Sequence, residues 1–303
     1  MLVLIKVLIK KLAGKSVLHF LLILIFSSQN LYSQTLFEQN SIKEMIITEQ
    51  KFSIESQFKD LKESFLANMD TSALSVNQDG LYKMYGFWKK KPDNLQGLIW
   101  YPTDVFVSSD KLWAVTNGVA YKKIKNDTAY KKRINYFTVW RRDNANQPYK
   151  FIFDDGISYS GSESDSNTIH SILIKQPSTN DIKIIAQNKK KIEESVKKFQ
   201  NAGSHFPSNL LSFLHNQFSI VLSNHSIIRN QKDLIFQTII PRETSTTLDQ
   251  VHKIFNKSGN MAMFYHKIAL SENKEIKKTG YIISIWSIVD FSPRIISMLI
   301  SVN

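Results

Sequence analysis

The residues that could do chemistry are few, and their types already narrow the reactions available. Cysteine is absent from the whole chain. That excludes disulfides, thiol nucleophiles, cysteine-bound zinc or iron–sulfur sites, and a lipid anchor on a cysteine. The seven histidines stand at 19, 170, 205, 215, 225, 252 and 266, so residues 34–160 contain none. A histidine general base or metal ligand is excluded there. The later histidines show no HxH or HxxxH spacing, so no metal and no cofactor is expected. There is no Gly-rich phosphate loop, no GxSxG elbow and no HExxH. What remains is carboxylate and tyrosine. Asp104 and Asp154 are the candidate acids and Tyr136 the candidate hydroxyl. The plainer expectation is that both acids sit at strand ends and that Arg141 or Arg142 pairs with one of them.

Aromatic side chains are the denser signal. Tyr82, Tyr85, Trp88, Trp100, Trp113, Tyr121, Tyr136 and Trp140 crowd one short stretch. Tyrosine and tryptophan join an apolar face to a polar tip, which suits a ligand pocket or an interface as well as a core. If they line a pocket, Tyr85, Trp88, Trp100, Trp113, Tyr136 and Trp140 are the binding set, and the ligand is a small apolar or aromatic molecule.

The elements that must position these residues can be read from periodicity. Residues 34–69 read as helical, with Ser41 and Glu44 spaced as a capping box. Ile47, Ile54, Phe58, Leu61 and Phe65 form the expected packing face. Residues 70–80 read as a loop. From Leu98 the period becomes two: Val105 and Val107, then Trp113, Val115 and Asn117, then Ile134, Tyr136, Thr138 and Trp140, with Tyr149 to Phe153 returning. Gly118 marks a bend or bulge. This predicts helices packed on an antiparallel meander, an α+β unit.

Residues 158–180 carry seven serines with Gly161 and Pro177, a linker composition, though Ile172 to Ile174 could pair as an edge strand. A similar pattern then follows. Ile192, Val196 and Phe199 make one helical stripe, and Leu211, Leu214, Phe218 and Val221 another. Strands are expected at Met261 to Tyr265, Tyr281 to Val289 and Ile295 to Val302. Trp140 and Trp286 correspond at an offset of 146, while Asn135 and Gly280 correspond at 145, leaving the register open by one residue. The reading is a tandem duplication with a more degenerate second copy.

Four segments carry a resemblance: Trp100-Tyr101-Pro102-Thr103-Asp104, Trp113 to Gly118, Tyr136-Phe137-Thr138-Val139-Trp140-Arg141-Arg142, and Tyr149 to Gly156. Together they resemble exported bacterial members of the SnoaL-like, ketosteroid-isomerase-like group of the nuclear transport factor 2-like superfamily, in a branch of unknown function. Asn135 stands where that pattern has glycine, and Tyr149 where it has tryptophan. The resemblance implies two cone-shaped domains, each a curved antiparallel sheet wrapped round N-terminal helices. It also implies an acid inside the cone of catalytic members. An isomerase, dehydratase or cyclase would then use Asp104 or Asp154 as base, with Tyr85, Tyr136 or Trp100 donating to the developing oxyanion. The fold does not fix function.

Residues 1–33 read as a cleavable signal peptide. Lys6, Lys10, Lys11 and Lys15 precede an apolar run from Val17 to Phe26. That run is short for a bilayer, which needs roughly 20 residues. The chain divides as signal peptide 1–33, first domain 34–160, linker 161–180 and second domain 181–303. Export to the periplasm or beyond follows, without stable membrane insertion after cleavage. The four lysines of the signal account for four of the thirteen net positive charges, leaving +9. The basic clusters are spread and interrupted by acids, which describes solvated faces better than a nucleic-acid surface. The expected function is a small-molecule-binding or interaction module without established catalysis. Its exposed sheets would pair within the chain or form a homodimer.

Overall fold

The computed structural model of the chain describes residues 39–93, 98–123, 130–159, 168–175, 179–202, 206–230, 245–272 and 275–302. The segment expected to be a signal peptide and about half of the expected linker, residues 161–167 and 176–178, lie outside them.

The first half begins with α1 (39–58) and α2 (Leu61–Asn68). Asp60 separates them: its extended backbone ends one helix, and its carboxylate caps the next by accepting the Glu63 N–H at 3.1 Å. The packing face of α1 is not the apolar stripe expected. Ile47, Ile54 and Phe58 are 51%, 53% and 82% exposed. Met45, Glu49, Phe52, Ser53 and Ser56 are buried instead. The reason is that the polar members of this face have partners on the sheet. Ser53 Oγ accepts the Trp100 N–H at 3.1 Å, and Ser56 donates to the Leu98 carbonyl at 3.4 Å. A hydrophobic count reads such a face as solvent-facing. Glu44 does not act as a capping-box partner either; it chelates the Arg142 guanidinium at 2.6 and 3.2 Å.

Residues 70–80 are not a loop. β1 (Met69–Asn77) and β2 (Gly80–Lys83) form a hairpin, turned at Gly80, whose φ of +113° favours glycine. After α3 (Met84–Lys89) come β3 (Leu98–Ser108), β4 (Trp113–Lys123), β5 (Tyr130–Arg141), β6 (Lys150–Tyr159) and β7 (His170–Ile174). The sheet order is β2-β1-β6-β5-β4-β3-β7, with β1 parallel to β6 and β7 parallel to β3 at the edge. Gly118 sits opposite the register shift between Pro102 and Asp104. A Cβ there would lie 2.1 Å from the Tyr101 carbonyl, so only glycine permits the approach.

The second half has α4 (Ile182–Gln200), α5 (Phe206–Phe213), β8 (Leu214–Leu222), β9 (Ser245–Phe255), β10 (Met261–Glu272), β11 (Glu275–Val289) and β12 (Ser292–Val302). The stripe expected as helical at 211–221 is mostly β8, whose apolar run is buried along its length. The order β8-β12-β11-β10-β9, with β8 parallel to β12 and the rest antiparallel, repeats the order β1-β6-β5-β4-β3 of the first sheet. The bulges correspond as well. One lies just before Trp140, opposite Phe151, and the other just before Trp286, opposite Ile295. Ala114 and Ala262 face these tryptophans across the neighbouring strand. The match at an offset of 146 therefore agrees with the pairing geometry.

Period-two alternation sends each sheet's side chains to two places. Val105, Val107, Ala114, Tyr136, Trp140 and Phe151 pack with Met45, Phe52 and Phe65 of the helices. Phe106, Trp113, Val115, Phe137, Val139 and Phe153 instead share one core with Met261, Met263, Tyr265, Ile283, Ile285 and Leu299 of the other sheet. The remaining faces of β10–β12 close over α4 and α5 through Phe264, Trp286, Met298 and Ile300.

Candidate functional site

The concave side of the first sheet meets α1 at Glu49. The Trp100 indole of β3 donates to Glu49 Oε1 at 2.7 Å. The Thr116 hydroxyl of β4 and the Trp140 indole of β5 donate to Oε2 at 2.5 and 3.1 Å. Trp140 Nε1 also reaches the Thr116 oxygen at 2.9 Å. One helical carboxylate thus ties three consecutive strands to α1. Burial pushes its carboxyl up to about 7, against the downward pull of the three hydrogen bonds. Sequence reasoning missed Glu49. Its only signal was its phase, four residues after Met45 and three before Phe52, on a face that also carries serines.

Aromatic rings fill the space around it. The Phe52 ring lies 4.7 Å from Trp100, 5.0 Å from Phe65, 5.7 Å from Phe151 and 6.0 Å from Trp140, mostly edge to face. Trp88 stacks on Phe65 at 4.0 Å. Tyr85 packs partly buried against the same cluster. Of the expected binding set, Tyr85, Trp88, Trp100, Tyr136 and Trp140 come together here. Trp113 does not; it lies in the core between the two sheets.

The two candidate acids lie on opposite faces. Asp154 is half-buried on the cone side and accepts from the Thr138 hydroxyl at 2.5 Å. Burial raises its carboxyl to about 8, with the Glu49 and Asp155 charges adding to the rise. Tyr136 is held well above its usual range, first by burial and then by the negative charge of Glu49, Asp154 and Asp104. Its hydroxyl has no hydrogen-bond partner among the described residues; the nearby Thr116 hydroxyl donates to Glu49 and accepts from the Trp140 indole.

Asp104 points the other way. Arg229 of the second half grips it with Nε at 2.6 Å and a terminal nitrogen at 2.7 Å, and also reaches the Thr103 hydroxyl at 2.9 Å. Neither arginine expected to pair with these acids does so: Arg141 binds Asp70 at 2.7 Å and Arg142 binds Glu44. Arg229 lies in a stretch without periodic pattern and could not be found from sequence. Other polar ties cross the same boundary. Asn117 donates to Ser219 and, at 2.9 Å, to Ser297; Asn135 donates to the His225 carbonyl at 2.7 Å.

The helix-facing side of the second sheet is built differently. His266 packs against the Phe199 and Phe264 rings, and Phe199 in turn packs on Phe213 and Trp286. Neither His266 ring nitrogen has a partner among the described residues, and burial lowers the imidazole to about 4. Among the described residues no carboxylate takes the place of Glu49 there.

No protein-family model matches the sequence, and no curated protein matches it. Solved structures align with part of the chain at low identity. One is a protein of unknown function with a cystatin-like fold from Nostoc punctiforme, with 10% identity and a TM-score of 0.32, covering 39% of this chain and 92% of that one. A second is an NTF-2 like protein of unknown function from Shewanella oneidensis, with 15% identity and a TM-score of 0.27, covering 39% and 97%. A third is a DUF4783 family protein from Bacteroides uniformis, with 8% identity and a TM-score of 0.29, covering 37% and 95%. The architecture of the described residues is α+β, with helices packed against one side of each sheet.

Proposed function

We propose that the chain is an exported, non-catalytic interaction module: two nuclear transport factor 2-like cones, derived by tandem duplication, that pair through their sheets as a dimer within one chain. The observation that supports this reading best is the filling of the first cone by Phe52, wedged among Trp100, Phe65, Phe151 and Trp140. The aromatic side chains that would line a ligand pocket are spent on one another, and both Glu49 oxygens are occupied by indole and hydroxyl donors. A base so covered has no route to a substrate proton. The test uses indole as the probe. Indole should leave the melting temperature of the wild-type protein unchanged and raise that of Phe52→Ala, where a dry apolar cavity opens. Saturable binding of indole to the wild type would overturn the closed-cone reading.

One pair of observations favours a second reading, a proton-transfer enzyme of the isomerase or dehydratase kind. Asp154 is half-buried with its carboxyl near 8, and Tyr136 carries an unpartnered hydroxyl on the same side of the sheet. That reading requires wild-type binding in the cone that weakens in Asp154→Asn.

A further inference from the structure

A cleft of about 700 Å³ opens at the seam where the edges of the two halves meet, on the side of the first sheet away from its cone. Asp79, Gly80 and Asp155 line it from the first half, and Asp249, Tyr265, Lys267 and Tyr281 from the second. Its charge runs against that of the chain. The protein carries a net +13, whereas three carboxylates and one ammonium face this recess. None of the four takes part in an ion pair among the described residues.

A second observation is independent of charge. Tyr265 is 2% exposed, its ring packed in the core shared by the two sheets. Its hydroxyl has no hydrogen-bond partner among the described residues and emerges at the cleft wall beside Gly80, 3.6 Å from where a Cβ would stand. A buried tyrosine normally satisfies its hydroxyl. The neighbouring Tyr281 does so, donating to Asp155 at 2.6 Å. Tyr265 therefore presents a free donor and acceptor to whatever occupies the cleft, on a wall whose position is fixed by packing. The Tyr265 and Tyr281 rings, 6.2 Å apart, form the floor.

We propose that this seam cleft binds a small organic diamine, its ammonium groups held by Asp249 and Asp79 and by the Tyr265 hydroxyl oxygen. An ammonium donates and cannot accept, which matches a wall of carboxylate and phenol oxygens. The site is separate from the cone and does not depend on the reading of the cone.

The probe is putrescine, with 1,4-butanediol and succinate as neutral and anionic controls of similar length, titrated calorimetrically into the intact protein. Putrescine should bind saturably and 1,4-butanediol should not. Asp79→Asn combined with Asp249→Asn should weaken binding about tenfold or more. Tyr265→Phe should weaken it several-fold while leaving the melting temperature unchanged, because the lost hydroxyl has no partner in the free protein. A melting temperature lowered by Tyr265→Phe would mean that the hydroxyl is structural, and would overturn its assignment. Absence of putrescine binding would overturn the site, as would succinate binding that disappears in Lys267→Met.

Discussion

The two helix-facing cores are built on the same strand order and the same bulged tryptophan, yet each hides a different polar group. In the first, Glu49 accepts from Trp100, Thr116 and Trp140. In the second, His266 packs against Phe199 and Phe264 with neither nitrogen bonded among the described residues. Burial disfavours the charged form of both, so it raises the acid to about 7 and lowers the imidazole to about 4. The lesson is that one architecture accommodates a buried acid or a buried base by favouring the uncharged form of each. It ties the acid into the sheet by hydrogen bonds and leaves the base surrounded by rings.

The largest effect that would break the comparison is removal of the aromatic wedges. Phe52→Ala in the first core and Phe199→Ala in the second should each cost about 3–5 kcal/mol in denaturant unfolding. Similar losses would mean that both cones are filled cores. A loss at Phe52 below about 1 kcal/mol would mean that the first is loosely packed or open.

The next effect is pH dependence, and it should have opposite signs in the two cores. Glu49 keeps its proton in the native state up to about 7, against an ordinary 4.5. Its contribution is full below pH 4.5 and is lost as pH rises through 7, by about 3 kcal/mol. Half-buried Asp154, raised to about 8, acts in the same direction. His266 titrates near 4 when folded and near 6.5 when unfolded. Its contribution is full above pH 6.5 and is lost as pH falls toward 4, again by about 3 kcal/mol. Hydrogen exchange should therefore show β4 amides opening more readily on the alkaline side and β10 amides on the acid side. Parallel behaviour of the two sheets would contradict these assignments.

Substitution sharpens the same contrast. Glu49→Gln should flatten the stability profile between pH 4.5 and 7, the window set by the raised carboxyl. It should also cost about 1 kcal/mol at pH 5, where the amide turns a donor toward an indole N–H. The smallest effect is expected at Tyr136→Phe. This removes a buried hydroxyl without a partner among the described residues, so stability should hold or rise by up to about 1 kcal/mol.

Much of the sheet was legible in the sequence because half-buried strands alternate. Tyr136, Thr138 and Trp140 turn to the helices and Phe137 and Val139 to the other sheet, as the period implies. The Trp140–Trp286 correspondence was legible too, and the pairing of β5 with β4 and of β11 with β10 runs unbroken from these tryptophans, which puts Tyr281 rather than Gly280 in the place of Asn135. What could not be read depended on pairing across long separations. Glu49, Ser53 and Ser56 look solvent-facing until the strands that take their hydrogen bonds are in place. Residues 70–80 look like a loop because β1 carries Asp70, Thr71 and Asn77, yet its parallel neighbour β6 makes it a strand. Arg229 had no motif to mark it; only the fold brings it to Asp104.

The most direct measurement is a crystal structure of the wild-type protein soaked with indole and inspected inside the first cone. The expected result is an unaltered Phe52 ring against Trp100 and Trp140, with Glu49 held by both indoles and no added density. Density for indole between those two tryptophans, with Phe52 displaced, would contradict the claim that this cone is closed by its own side chains.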